Sequence, residues 1–178
     1  MGCPHVYTLI LGLGNTILRD DGVGIYVARA LAERFPVQEF AGEIDVSEAE
    51  LAGFDLIEIL RGYDRAVIVD ALQLEGEEPG TVFRMRPDDM RITARLASVH
   101  DIDLMTALAL GKRLGFKMPA DVVIFGVQAA DARTLGEGCT NVVQRVIEPL
   151  SEEIVGELEG RPYRKISMSL AERKSGYA

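Results

Sequence analysis

Cysteine is scarce. Cys3 and Cys139 are the only two, with no CxxC pair and no framework for a disulfide-stapled domain, which fits a reducing, cytoplasmic setting. Long apolar runs are missing as well. Met1-Gly2-Cys3-Pro4-His5 has no basic n-region, and the apolar stretch after it is too short for a signal peptide or a membrane span. Gly2 lacks the Ser/Thr context of a myristoylation site. Positive charge is in deficit, with 19 Lys and Arg against 28 Asp and Glu, a net charge of −9. Nucleic acid and anionic membrane surfaces are therefore poor partners on electrostatic grounds. There is no internal repeat and no low-complexity segment.

What is present suffices for one domain. The 178 residues, 48% hydrophobic, can bury a substantial core but are short for two domains. The tail 160–178 carries five basic residues against Glu172 alone, a local +4 that leaves −13 on the rest. Residues 1–159 are read as an α/β domain and 160–178 as a basic tail expected to fray or dock late. A monomer is expected.

Apolar runs of strand length alternate with segments of helical period. Tyr7–Leu11 reads as a buried strand, followed by a helix from about Gly22 to Phe35, stopped by Pro36. A second strand is expected within Phe40–Val46, and a short helix over Phe54–Leu60 ending at Gly62. Ala66-Val67-Ile68-Val69 is the clearest parallel strand, ending at Asp70. Thr81–Met85 alternates like an edge strand after a Pro79-Gly80 turn. Ile102–Leu114 reads as a helix and Val122–Val127 as a buried strand. Cys139–Glu159 reads as a long closing helix that the internal Pro149 should kink or interrupt. The order predicts a three-layer α/β/α sandwich with a mostly parallel, twisted sheet. Such sheets take ligands outside the carboxyl ends of their strands.

Gly12-Leu13-Gly14-Asn15-Thr16-Ile17 matches only two glycines of the dinucleotide fingerprint, with Ile17 where a small residue should allow close helix packing. Asp20 and Asp21 would repel a pyrophosphate, so no nucleotide is expected and the loop can equally be a plain tight turn. Two adjacent acids exceed what one helix cap needs. One can cap the helix near Gly22 while the other faces the cleft as ligand or catalyst. Asp70, at the end of a buried strand, is either a functional carboxylate or a cap on the following turn. His100 follows Ser98 and precedes Asp101, a capping-box-like spacing that puts it in the first turn of the next helix. The positive helix end favours a neutral ring, the form a metal needs, although a lone histidine is also a common structural or surface residue. Together Asp21, Asp70 and His100 offer two oxygen donors and one nitrogen donor, a set suited to zinc, nickel or another divalent first-row metal. Cys139, near a helix start, is a candidate nucleophile, with Thr140 as a helix cap the plainer reading of that segment.

The run Gly12-Leu13-Gly14-Asn15-Thr16-Ile17-Leu18-Arg19-Asp20-Asp21-Gly22-Val23-Gly24, then Ile68-Val69-Asp70-Ala71, Pro79-Gly80-Thr81 and Ser98-Val99-His100-Asp101, resembles the nickel-iron hydrogenase maturation endopeptidases over about residues 6–158. The resemblance implies removal of a C-terminal extension from a hydrogenase large-subunit precursor once nickel has been inserted. It also implies that Asp21, Asp70 and His100 are both the catalytic and the metal-binding residues, and that the nickel is the substrate's own. Many members carry an Asp-Gly-Gly-Thr stretch after the second strand, where this chain has Asp45-Val46-Ser47-Glu48-Ala49-Glu50-Leu51-Ala52-Gly53. Two other readings compete. One is a chaperone-like protein that binds the nickel site without cleavage. The other is a peptidyl-tRNA hydrolase-like esterase, a family that also opens with a strand and Gly-Leu-Gly-Asn but would want a basic surface.

Overall fold

Strand β1 (Thr8–Leu13) is buried at every position, as expected of a central strand covered on both faces. It belongs to a computed structural model that describes residues 5–34, 43–50, 55–87, 89 and 99–166, with backbone only at 99–103. A short 3-10 turn (Arg19–Gly22) leads into α1 (Val23–Arg34). The chain continues through β2 (Ile44–Ala49), α2 (Asp55–Leu60), β3 (Arg65–Leu72) and β4 (Val82–Met85), then α3 (Val99–Arg113) and β5 (Asp121–Gln128). It closes with α4 (Asn141–Gln144) and α5 (Ile147–Leu158).

The described strands form one five-stranded sheet in the order β2-β1-β3-β5-β4, parallel except for β4, which pairs antiparallel at the edge. Alternation along the strands divides the core into two layers. Leu9, Leu11, Ile68 and Ile124 face α2 and α3, where Leu56, Leu60, Leu104 and Leu108 meet them. Ile10, Val67, Val69 and Phe125 face the other way, onto Val23, Val27 and Leu31 of α1 and Val143, Leu150 and Ile154 of the closing helices. Burying each such side chain contributes about 2 kcal/mol. The expected three-layer sandwich is thus present, and no helix among the described residues is long and apolar enough to cross a membrane.

Two expectations need correction. The second strand runs over Ile44–Ala49, past the expected end at Val46, because β2 is an edge strand placed by backbone pairing with β1, not by apolar content; residues 40–42 lie outside the described set. Much of the stretch set against the Asp-Gly-Gly-Thr loop is therefore this strand itself. β3 runs on past Asp70 to Leu72, since Asp70, Ala71 and Leu72 still pair with Gly126, Val127 and Gln128 of β5. The closing segment is interrupted as Pro149 leads one to expect, and forms two helices. The Pro149 ring is incompatible with a helical Arg145 carbonyl four residues back, so the break falls at Arg145–Val146, and the Val146 N–H turns to the Val143 carbonyl at 2.9 Å. Pro149 then sits in the first turn of α5, where its missing N–H costs nothing.

The start of the tail lies on the body. The Tyr163 ring is 6.1 Å from that of Phe125, and its hydroxyl donates to the Val82 carbonyl at 3.3 Å. Residues 167–178 lie outside the described set.

Glu157 of α5, 9% exposed, ties two strands directly to the closing helix, and a third through Arg65. Arg84 of β4 donates to both of its oxygens at 2.8 and 3.0 Å, and Arg65 of β3 donates at 2.6 Å. Arg65 also approaches Asp121 of β5 at 3.1 Å. The Arg84 hydrogen bonds, with Arg65 adding its charge, hold the Glu157 carboxyl below the usual 4.5 despite partial burial. A depressed folded-state value means stability that is present above about pH 4.5 and lost as pH falls through the folded-state value. Glu157→Gln is expected to lower the unfolding free energy by about 2 kcal/mol at pH 7. Urea titrations of both proteins should show that gap shrinking below pH 4, and a gap that stays constant with pH would contradict the assignment.

Candidate active site

The sheet order places a switch point between β1 and β3, where successive connections leave toward opposite faces and a crevice opens at the carboxyl edge. β1 and β3 stay paired only as far as Gly12 and Val69. Asp70 is the next residue of β3, at the mouth of that crevice, 1% exposed. Its Oδ1 accepts the Ala71 N–H at 2.8 Å. By strand alternation Asp70 belongs to the face of Ile68 and Leu72, the one covered by α2 and α3.

Asp21 reaches the same crevice from β1. The chain leaves the strand through Gly14 at φ 139°, a conformation glycine tolerates, and folds back so tightly that a Cβ there would lie 1.8 Å from the Asp21 carbonyl oxygen. Asp21 is half-buried, and its Oδ2 accepts the Asn15 N–H at 3.0 Å. Three residues on, Gly24 presses on the Val69 carbonyl, the residue preceding Asp70. Close helix packing, assigned in the dinucleotide fingerprint to a third glycine at the place of Ile17, is carried here by Gly24. Ile17 is 55% exposed.

His100 lies in the first turn of α3, as its capping-box-like spacing predicts. The C-terminal end of α3 feeds β5 at the amino edge of the sheet, where Ala120 N–H donates to the Asp64 carbonyl at 3.0 Å. The helix runs back along the face that holds Asp70, so its first turn lies toward the carboxyl edge. The His100 side chain is outside the described set. Among the described residues no three His, Cys, Asp or Glu side chains form a metal-holding group.

Asp20 has a different task from Asp21. It is fully buried and caps no helix of its own. Its Oδ2 accepts the N–H groups of Ala130 and Asp131 at 2.8 and 2.9 Å and the Thr140 hydroxyl at 2.9 Å, and its Oδ1 accepts the Thr140 N–H at 2.6 Å. Thr140 does occupy the N-cap position of α4, but its hydroxyl serves Asp20 rather than the helix. Burial, with the Asp20 charge adding to it, pushes the Cys139 thiol up to about 12. A thiol that stays protonated at neutral pH is no nucleophile, which removes Cys139 from the candidates.

Beside these acids, beyond the ends of β3 and β5, lies a cleft of about 460 Å³ lined by residues 73–75 and 128–133. Gln128, 5% exposed, holds one wall by accepting the Leu74 N–H at 2.9 Å and donating to the Leu74 carbonyl at 3.0 Å. Sequence reading passed over Gln128, Asp131 and the role of Asp20. The available signals were the acid doublet itself and Ala129-Ala130-Asp131 directly after a strand end.

A mostly parallel α/β sandwich with acids at its switch point and an open cleft at its carboxyl edge has the frame of an α/β enzyme. Comparison with known proteins narrows the class. The family described as hydrogenase maturation protease (HycI) matches residues 25–157, a span that holds Asp70 and His100 and starts just after Asp21. The Escherichia coli (strain K12) hydrogenase 2 maturation protease is 25% identical over 151 residues, covering 84% of this chain and 89% of that protein. The solved E. coli hydrogenase maturating endopeptidase HybD superposes with a TM-score of 0.75 at 24% identity, over 87% of this chain and 93% of that one. The [NiFe] hydrogenase maturation protease HybD from Thermococcus kodakarensis gives 0.64 at 26% identity, over 86% and 99%. The chain belongs to the hydrogenase maturation protease family, and it is a peptidase.

Proposed function

We propose that this protein removes the C-terminal extension of a nickel-iron hydrogenase large-subunit precursor after nickel insertion, gripping the substrate's own nickel with Asp21, Asp70 and His100. One observation supports the reading: the turn that carries Asp21 packs on β3, the strand that carries Asp70, at the β1/β3 switch point, each acid accepts a backbone N–H, and a cleft of about 460 Å³ opens beyond the ends of β3 and β5. The donor types support it, because carboxylate and imidazole suit a divalent first-row metal that thiolates of a partner also hold. A shared ion lets the protease test the precursor. A loaded precursor gains bonds to the acids and the ring, and an empty one leaves those donors without their ligand, a difference of several kcal/mol.

Nickel so held would also act as a Lewis acid near the scissile bond. The chain's own contribution is to present its donors in fixed orientation and to seat the extension in the cleft between residues 73–75 and 128–133. The acidic body, about −13 against a tail of +4, suits a protein substrate better than a nucleic acid.

The test is incubation with nickel-loaded and nickel-free precursor, followed by intact mass. Cleavage of the loaded form at least about 100-fold faster than the empty one is expected, equivalent to ~2.7 kcal/mol. Equal rates on both would refute nickel recognition. Stable binding of the loaded form with no loss of mass would instead support a chaperone.

A further inference from the structure

We propose that Asp20 is the positioning residue of the site, aligning the acid Asp21 with the substrate cleft through a single buried carboxylate. Four donors converge on its two oxygens, three of them backbone N–H groups of the loop after β5. A carboxylate, which only accepts, is suited to that many donors. On one side of Asp20 stands the turn that carries Asp21. On the other stand Ala130 and Asp131, which line the cleft. Backbone bonds lace the same two segments together: Asp20 N–H to the Asp131 carbonyl at 3.0 Å, Arg19 N–H to the Gly136 carbonyl at 3.0 Å, and Gly136 N–H to the Ile17 carbonyl at 2.9 Å.

The turn is also strained. Arg19 sits at φ 48°, the left-handed region that non-glycine residues seldom adopt. Strain of this kind persists where surrounding bonds over-determine the backbone, and here those bonds come from the cleft loop. Releasing Asp20 therefore frees the cleft wall and the Asp21 turn together. The two would then drift relative to each other, and a misplacement of about 1 Å at a reacting site costs about 100-fold in rate.

The inference rests on the proposed processing for its kinetic readout, and amide exchange supplies a readout that does not. Asp20→Asn keeps the shape but turns an amide NH₂ toward backbone donors. Measured well below both unfolding midpoints, it is expected to speed hydrogen exchange at Ala130, Asp131 and Thr140 while β1 and β3 stay protected. Its kcat on nickel-loaded precursor should fall by about 100-fold, far more than KM changes. Thr140→Val, which removes one donor, should show a weaker form of both effects, and Thr140→Ser should restore them. That pair decides the matter if Asp20→Asn does not fold. Unchanged exchange at the three amides, or fast exchange with wild-type kcat, overturns the proposal. A wild-type protein that cleaves no precursor defeats the processing role, and the exchange data then decide whether Asp20 pins the loop.

Discussion

Asp70→Ala, Asp21→Ala and His100→Ala are each expected to reduce processing of nickel-loaded precursor by more than about 1000-fold, a loss of ~4 kcal/mol in transition-state stabilisation. The expectation follows from the three donors that the proposed site assigns to this protein. Removing one leaves two, and a shared metal then binds too weakly to report on loading or to hold the scissile bond in place. The variants should differ in stability. Asp21 is half-buried on a turn, where water can replace it as acceptor for the Asn15 N–H, so its truncation costs less. Asp70 is 1% exposed and accepts the Ala71 N–H, so truncating it leaves that donor without its partner. Asp70→Asn separates the two effects, because it keeps an acceptor for Ala71 while weakening the hold on a cation. Circular dichroism and urea midpoints establish the fold, and intact mass of the precursor gives the activity. The decisive member is His100→Ala. If it processes precursor at close to the wild-type rate, the nitrogen donor is misassigned and the nickel-gripping site as proposed is wrong.

The sequence made the apolar framework legible and the polar detail only in part. β3 and β5 are legible because both faces are buried, so Ala66–Val69 and Val122–Val127 read as unbroken apolar runs. The end of β3 was hidden because a carboxylate inside a strand looks like the strand's end. What continues β3 is hydrogen bonding to Gly126, Val127 and Gln128, which leaves no mark on local composition. The end of β2 was hidden for a related reason, since Asp45, Ser47 and Glu48 give an edge strand a polar sequence. Asp70 could be singled out because it directly follows a strand signal, and Asp21 because it belongs to an acid doublet at a helix start. Asp20 could not be told from Asp21, because its partners lie 110 to 120 residues away. Only the fold brings Ala130, Asp131 and Thr140 to it.

Gly24→Ala is the second substitution with a large expected effect, and local propensity predicts the opposite sign. Gly24 lies in the first turn of α1, where alanine is favoured over glycine by about 1 kcal/mol. Packing outweighs that gain. A Cβ at Gly24 would lie 2.2 Å from the Val69 carbonyl oxygen and 2.3 Å from that of Leu13, so it would strike β3 and β1 together. Neither obstacle is a flexible side chain. Both are backbone of central strands locked in register, and Gly12 offers no slack, since its own Cβ position is 2.2 Å from the Gly24 carbonyl oxygen. Relief requires α1 to lift off the sheet, which parts Val23, Val27 and Leu31 from Ile10, Val67 and Val69. A loss of more than about 4 kcal/mol is expected, most of the stability of an ordinary domain. Gly62→Ala isolates the contribution of conformation. Gly62 has φ 94° with nothing near its Cβ position, so that change should cost only about 1 kcal/mol of backbone strain. Urea unfolding of both variants decides between packing and propensity. Were Gly24→Ala as stable as the wild type, α1 could not rest on the ends of β1 and β3. The backbone contact that carries the Asp21 turn to within a few residues of Asp70 would then be lost.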